Sequence, residues 1–134
     1  MDEIIAKLSQ LAIKDQEIVV LWLYGSRANN TYHADSDYDL AIAFKKFLSD
    51  PLETRLRPEM LALEWQSALQ FRENQLSIID VNQVSIALAY AVIQCDKVLF
   101  CRDDIRLWQE EKRIYSRIEL DIFYHILNYA RNYG

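Results

Sequence analysis

Glycine is almost missing from this sequence. Of 134 residues, only Gly25 and the C-terminal Gly134 are glycine, and proline occurs twice, at Pro51 and Pro58. No repeat, low-complexity stretch or linker divides the chain, so residues 1–134 are expected to form one domain with a real core. Cysteine is equally scarce. Cys95 and Cys101 form no CxxC pair and have no histidine at ligand spacing. A zinc site is therefore not expected, and two reduced thiols of a cytoplasmic protein are. Positive charge is in deficit: the net charge is −5 and the isoelectric point about 5.0. Broad nucleic-acid binding needs clustered Lys and Arg, so direct binding to nucleic acid is not expected. An acidic balance fits a basic partner or a site that recruits metal cations. No apolar run approaches transmembrane length, and no membrane association is expected. The N-terminus MDEIIAKLSQ is acidic and amphipathic, unlike a signal peptide.

Hydrophobic residues are plentiful at 51%, the mark of a globular chain. Ile4, Ile5, Leu8, Leu11 and Ala12 recur at helical spacing, which predicts an amphipathic helix over residues 2–15. Glu17–Tyr24 is β-branched, aromatic and nearly continuously apolar, a strand covered on both faces. Asp37–Phe44 reads as a second strand. The segment KKFLSDPLETRLRP, with both prolines, reads as a loop before a helix marked by Leu61, Trp65, Ala68 and Leu69. Gln75–Asn82 is a third strand, Val84–Ile93 a buried helix, and KVLFC a short strand. One long helix is expected over residues 103–134. Tyr115, Ile118, Ile122, Ile126 and Tyr129 lie on one stripe of it, mostly as core, with surface left for a partner. The class is α/β or α+β, a mixed sheet flanked by helices.

Two aspartates interrupt this pattern. In a strand, residues i and i+2 point to one face, roughly 6.5–7 Å apart, so Asp37 and Asp39 project together. Ala41 and Ala43 continue that face, and Tyr38, Leu40, Ile42 and Phe44 form the opposite, bulky one. Aspartate is depleted in strands, and two on one face repel each other unless a cation lies between them. A magnesium site is the economical reading, since hard cations take carboxylates together with substrate phosphate oxygens. A solvent-facing strand edge is the plain alternative. Asp80 ends the apolar run LSIID. It reads as a third carboxylate, as a polar strand terminus or as a helix N-cap for the helix near Val84. Upstream, the strand runs into YGSR and an expected helix start. Gly25 lets backbone approach an anion, Ser26 can donate its hydroxyl, and Arg27 can pair with a phosphate or lie on the surface. Asp35, His33 and His125 are read as loop or packing residues.

Taken together, Gly25-Ser26, ten residues, Asp37-x-Asp39 and a later Asp80 resemble the nucleotidyltransferase superfamily of the DNA polymerase β type. Its signature is G-S-x10-D-x-D with a distal carboxylate. The short chain is most similar to the minimal nucleotidyltransferase (MNT) antitoxins of HEPN–MNT toxin–antitoxin pairs. That resemblance implies an ATP site at Gly25, Ser26 and Arg27, and two magnesium ions held by Asp37, Asp39 and Asp80. It also implies transfer of AMP to a tyrosine of a HEPN ribonuclease toxin. One departure from the family pattern is the turn SRANN, where Asn30 stands in place of a usual glycine and Asn29 in place of a basic residue. Two other readings stay open. One is transfer to a small polycation such as an aminoglycoside, with Asp35 and Glu53 or Glu64 forming an acidic pocket. The other is an antitoxin that inhibits by contact alone.

Overall fold

The computed structural model describes residues 3–31, 33 and 36–133. Their element order is α1 (Glu3–Lys14), β1 (Ile18–Tyr24), β2 (Tyr38–Phe44), α2 (Pro51–Leu69), β3 (Leu76–Asp80), α3 (Ile86–Gln94), β4 (Val98–Cys101) and α4 (Asp104–Tyr133). The strands form one mixed sheet in the order β3-β2-β1-β4. β1 pairs antiparallel with β2 and β4, and β2 pairs parallel with β3.

Alternation along the strands sorts their side chains into two layers. Leu21, Leu23, Tyr38, Leu40, Ile42, Phe44, Leu76 and Ile78 pack with Leu8 and Ala12 of α1 and Leu61 and Trp65 of α2. Val20, Trp22, Ala41, Ala43 and Ile79 pack on the other side with Val81, with Ala89 and Val92 of α3, and with Ile114 of α4. Residues 18–23 are buried throughout, as a strand covered on both faces requires. Among the described residues, no helix is long and apolar enough to cross a membrane.

Both prolines belong to a helix, which corrects the expected loop. Pro51 opens α2 at a position where its missing N–H is not needed, and the Asp50 carboxylate caps the turn by accepting from the Leu52 N–H at 3.0 Å. Pro58 removes one internal hydrogen bond but is buried along with Thr54, Leu61, Ala62 and Trp65. Packing of that face outweighs the lost bond.

α4 departs further from expectation. Only Glu110 and Ile114 are buried along it, and from Glu119 to Tyr133 every residue but Asn128 is exposed. The apolar stripe is therefore not core in its second half. What anchors α4 is polar. The Glu110 carboxylate accepts from Asn82 Nδ2 (2.9 and 3.0 Å), Arg106 Nε (2.9 Å) and Arg113 Nε (3.0 Å). Arg106 also donates to the Phe44 carbonyl at 3.0 Å, and Arg113 to the Val81 carbonyl at 3.3 Å. Burial raises the Glu110 pKa, but the bonds from Asn82, Arg106 and Arg113 outweigh it and hold the carboxyl below its ordinary value.

A depressed folded pKa gives stability that is complete above the unfolded value and is lost as pH falls through the folded one. Urea denaturation should therefore show stability falling at acid pH, and Glu110→Gln should flatten that fall; equal acid slopes would contradict it. At neutral pH, Glu110→Ala removes the carboxylate that Arg106 and Arg113 share and should cost about 3 kcal/mol.

Candidate active site

β1 delivers the chain to Gly25, and its last residue, Tyr24, lies opposite Asp39 in the β1–β2 register. Gly25 has φ +74°, a left-handed conformation that disfavours any side chain. A Cβ built there would overlap Asp39 Oδ2 and lie 3.3 Å from its Cγ. The turn backbone and the Asp39 carboxylate are thus in contact.

Beyond Gly25 the backbone makes successive turns rather than the expected helix. The Gly25 carbonyl accepts from the N–H groups of Ala28 (3.1 Å) and Asn29 (3.2 Å), and the Ser26 carbonyl from Thr31 (3.1 Å). Asn30 adopts φ +58°, so it takes the left-handed conformation that a glycine would supply. Arg27 is engaged in the loop. Its Nε and Nη2 donate to the Ser36 carbonyl at 3.1 and 2.9 Å, and its guanidinium stacks 4.0 Å from the centre of the Tyr38 ring. This clamp joins the turn to the residue before Asp37.

Asp37 is exposed and immediately precedes β2, and Asp39 is half-buried within it. Burial, and then the charge of Asp37, push the Asp39 carboxyl above its ordinary pKa. Burial and the charge of Asp39 push Tyr24 up to about 12. A cation between the two carboxylates would relieve this strain, and the pair with phosphate oxygens fits one magnesium ion.

Asp80 does not join them, which corrects the expected three-carboxylate cluster. In the parallel β2–β3 register Asp39 lies opposite Ser77, and Asp80 lies opposite Ile42, whose side chain points to the α1/α2 layer. Asp80 is buried there. Its Oδ1 accepts from the Asn82 N–H at 2.9 Å, and its Oδ2 lies 3.5 Å from Arg57 Nη2. Burial raises its pKa against the pull of both partners. Nor does Asp80 cap α3, because Ser85 does, its hydroxyl accepting from the Leu88 N–H at 3.2 Å. Among the described residues, no group of three His, Cys, Asp or Glu side chains could hold a metal. Asp35 lies outside the described residues. Glu64 lines a cleft of about 570 Å³ with Asp15, Glu17 and Met60, beside the start of β1 and away from Gly25. Glu53 is in the first turn of α2. Both glutamates belong to α2, which packs on the opposite side of the sheet from the face of Asp39.

A four-stranded mixed sheet whose Gly-Ser turn touches a D-x-D strand defines a nucleotidyltransferase-type α/β fold. The model of the family described as polymerase beta, nucleotidyltransferase, matches residues 6–105, and the chain belongs to that family. Solved structures share the fold. A toxin–antitoxin with AMP-PNP is 20% identical at TM-score 0.65, covering 95% of this chain and 95% of that chain. The toxin–antitoxin MntA–HepT is 18% identical at TM-score 0.55, covering 96% and 91%. A tri-AMPylated HEPN toxin in complex with MNT antitoxin, from Shewanella oneidensis, is 16% identical at TM-score 0.55, covering 98% and 94%. No curated protein matches the chain.

The contact between residue 25 and Asp39 yields a double-mutant test. Gly25→Ala should lower stability by about 1–2 kcal/mol through the positive φ and the overlap. In an Asp39→Ala background the overlap is gone, so the same change should cost measurably less. Equal costs in both backgrounds, read by chemical denaturation, would show that the two positions do not touch.

Proposed function

We propose that this protein is an antitoxin that transfers AMP from ATP to a tyrosine of a HEPN ribonuclease toxin and so silences it. The observation that supports the reading is the contact of the Gly25 backbone with the Asp39 carboxylate, an arrangement suited to holding an anion beside a cation. The solved relatives that pair an MNT antitoxin with a HEPN toxin support the choice of partner.

In this reading Gly25 and Ser26 hold the triphosphate by backbone N–H groups and the Ser26 hydroxyl. Arg27 acts mainly through the loop, holding Ser36 so that Asp37 stands beside Asp39. Asp37 and Asp39 would hold magnesium, which when bound neutralises phosphate charge. Half-burial of Asp39 strengthens its interaction with any cation it holds. The exposed second half of α4, with Leu120, Phe123, Ile126 and Tyr129, offers an apolar contact for the toxin. The acidic net charge suits a basic partner.

A second reading, inhibition by contact without transfer, is favoured by one observation: Ser77, not a carboxylate, stands in register with Asp39. The two are separated by incubating the protein with a HEPN partner, magnesium, and ATP labelled at the α- or the γ-phosphate. The proposal expects α-label alone on a partner tyrosine, with pyrophosphate released and ribonuclease activity reduced. It also expects Asp37→Asn with Asp39→Asn to abolish labelling in a folded protein. Transfer of γ-label would contradict it. Ribonuclease inhibition at equimolar complex with no label would establish the second reading.

A further inference from the structure

We infer from the β2–β3 register that Ser77, and not Asp80, occupies the third corner of the Asp37–Asp39 site, so the site takes one divalent cation with its nucleotide, with no third carboxylate among the described residues to hold a second. The inference rests on the nucleotide site proposed above and concerns how that site is completed.

Residues in direct register on parallel strands point to the same face, with strands roughly 4.8 Å apart. Asp39 and Ser77 are such a pair, and Ala41 and Ile79 are the next one along the same face. Ser77 is exposed, as a residue facing an open site would be. It is the β3 residue from which a carboxylate would meet that of Asp39. A serine hydroxyl is neutral, and hard cations favour carboxylate oxygens. Asp80 cannot substitute. It lies three residues further along β3, about 10 Å away at strand rise. It is also on the opposite face, bonded to the Asn82 N–H and paired with Arg57.

The consequence falls on the acceptor. During transfer the acceptor oxygen bonds to the α-phosphorus. The bond from that phosphorus to the bridging oxygen breaks, and pyrophosphate leaves with the electron pair. In this reading the acceptor proton goes to water, because Ser77, the β3 residue in register with Asp39, carries no carboxylate. A carboxylate at position 77 could take it instead. A positioned base typically contributes 100-fold or more, so Ser77→Asp should raise AMP transfer by on the order of 100-fold.

The direct test counts metal. Manganese bound to the chain is titrated by electron paramagnetic resonance in the presence of saturating non-hydrolysable ATP analogue. One equivalent per nucleotide-loaded chain is expected for the parent and for Ser77→Ala, and two for Ser77→Asp. Ser77→Ala keeps the test informative should Ser77→Asp fold poorly. Two equivalents on the parent, or loss of manganese in Ser77→Ala, would overturn the inference while leaving the nucleotide site standing. No nucleotide-dependent manganese on the parent would overturn the nucleotide site and this inference with it.

Discussion

The site depends on residue 25 having no side chain. Where β1 ends, the backbone turns left-handed directly against the Asp39 carboxylate, and any Cβ would fall on that carboxylate. This constraint accounts for the one internal glycine of a chain that otherwise avoids the residue. Other features fix the two sides of that contact. The antiparallel register sets Tyr24 opposite Asp39. Arg27 spans the loop to Ser36, so the turn and the start of β2 are held together by charge-assisted bonds as well as by the sheet. Asn30 completes the turn in a left-handed conformation that asparagine tolerates.

The two faces of the sheet carry different duties. The α1/α2 side is filled by bulky residues, Leu40, Ile42, Phe44 and Trp65, and supplies most of the apolar burial. The α3/α4 side begins with the aspartates and continues with Ala41 and Ala43, small enough for the helices to lie close. α4 is fastened there through the Glu110 carboxylate and its Asn82, Arg106 and Arg113 donors. The fastening lies in its first half, and the apolar second half is exposed.

Much of this was legible in the residues. A continuous β-branched and aromatic run points to β1 and an apolar run to β3, and the spacing from Gly25-Ser26 to Asp37 and Asp39 points to the candidate site. Period-two alternation assigned Ala41 and Ala43 to the face of Asp39. That alternation works within a strand and carries no information about register between strands. For this reason the sequence suggests Asp80 on the face of Asp39, whereas Ser77, three residues earlier, is the one that lies there. Pro58 reads as part of a loop because its local cost is visible in sequence, while the burial that offsets it is not. The α4 stripe reads as mostly core because periodicity reports an apolar face without reporting what covers it. The Glu110 network had only a weak signal, Arg106 and Arg113 at four and three residues from an acidic side chain.

The central claim is that the Gly25 turn and the Asp37–Asp39 pair together form the nucleotide site. A crystal structure of the protein with magnesium and a non-hydrolysable ATP analogue tests it most directly. The account predicts the triphosphate over Gly25 and Ser26, with a metal ion bridging it to Asp37 and Asp39. A nucleotide seated elsewhere, such as in the cleft lined by Arg57 and Glu64 on the far side of the sheet, would contradict it.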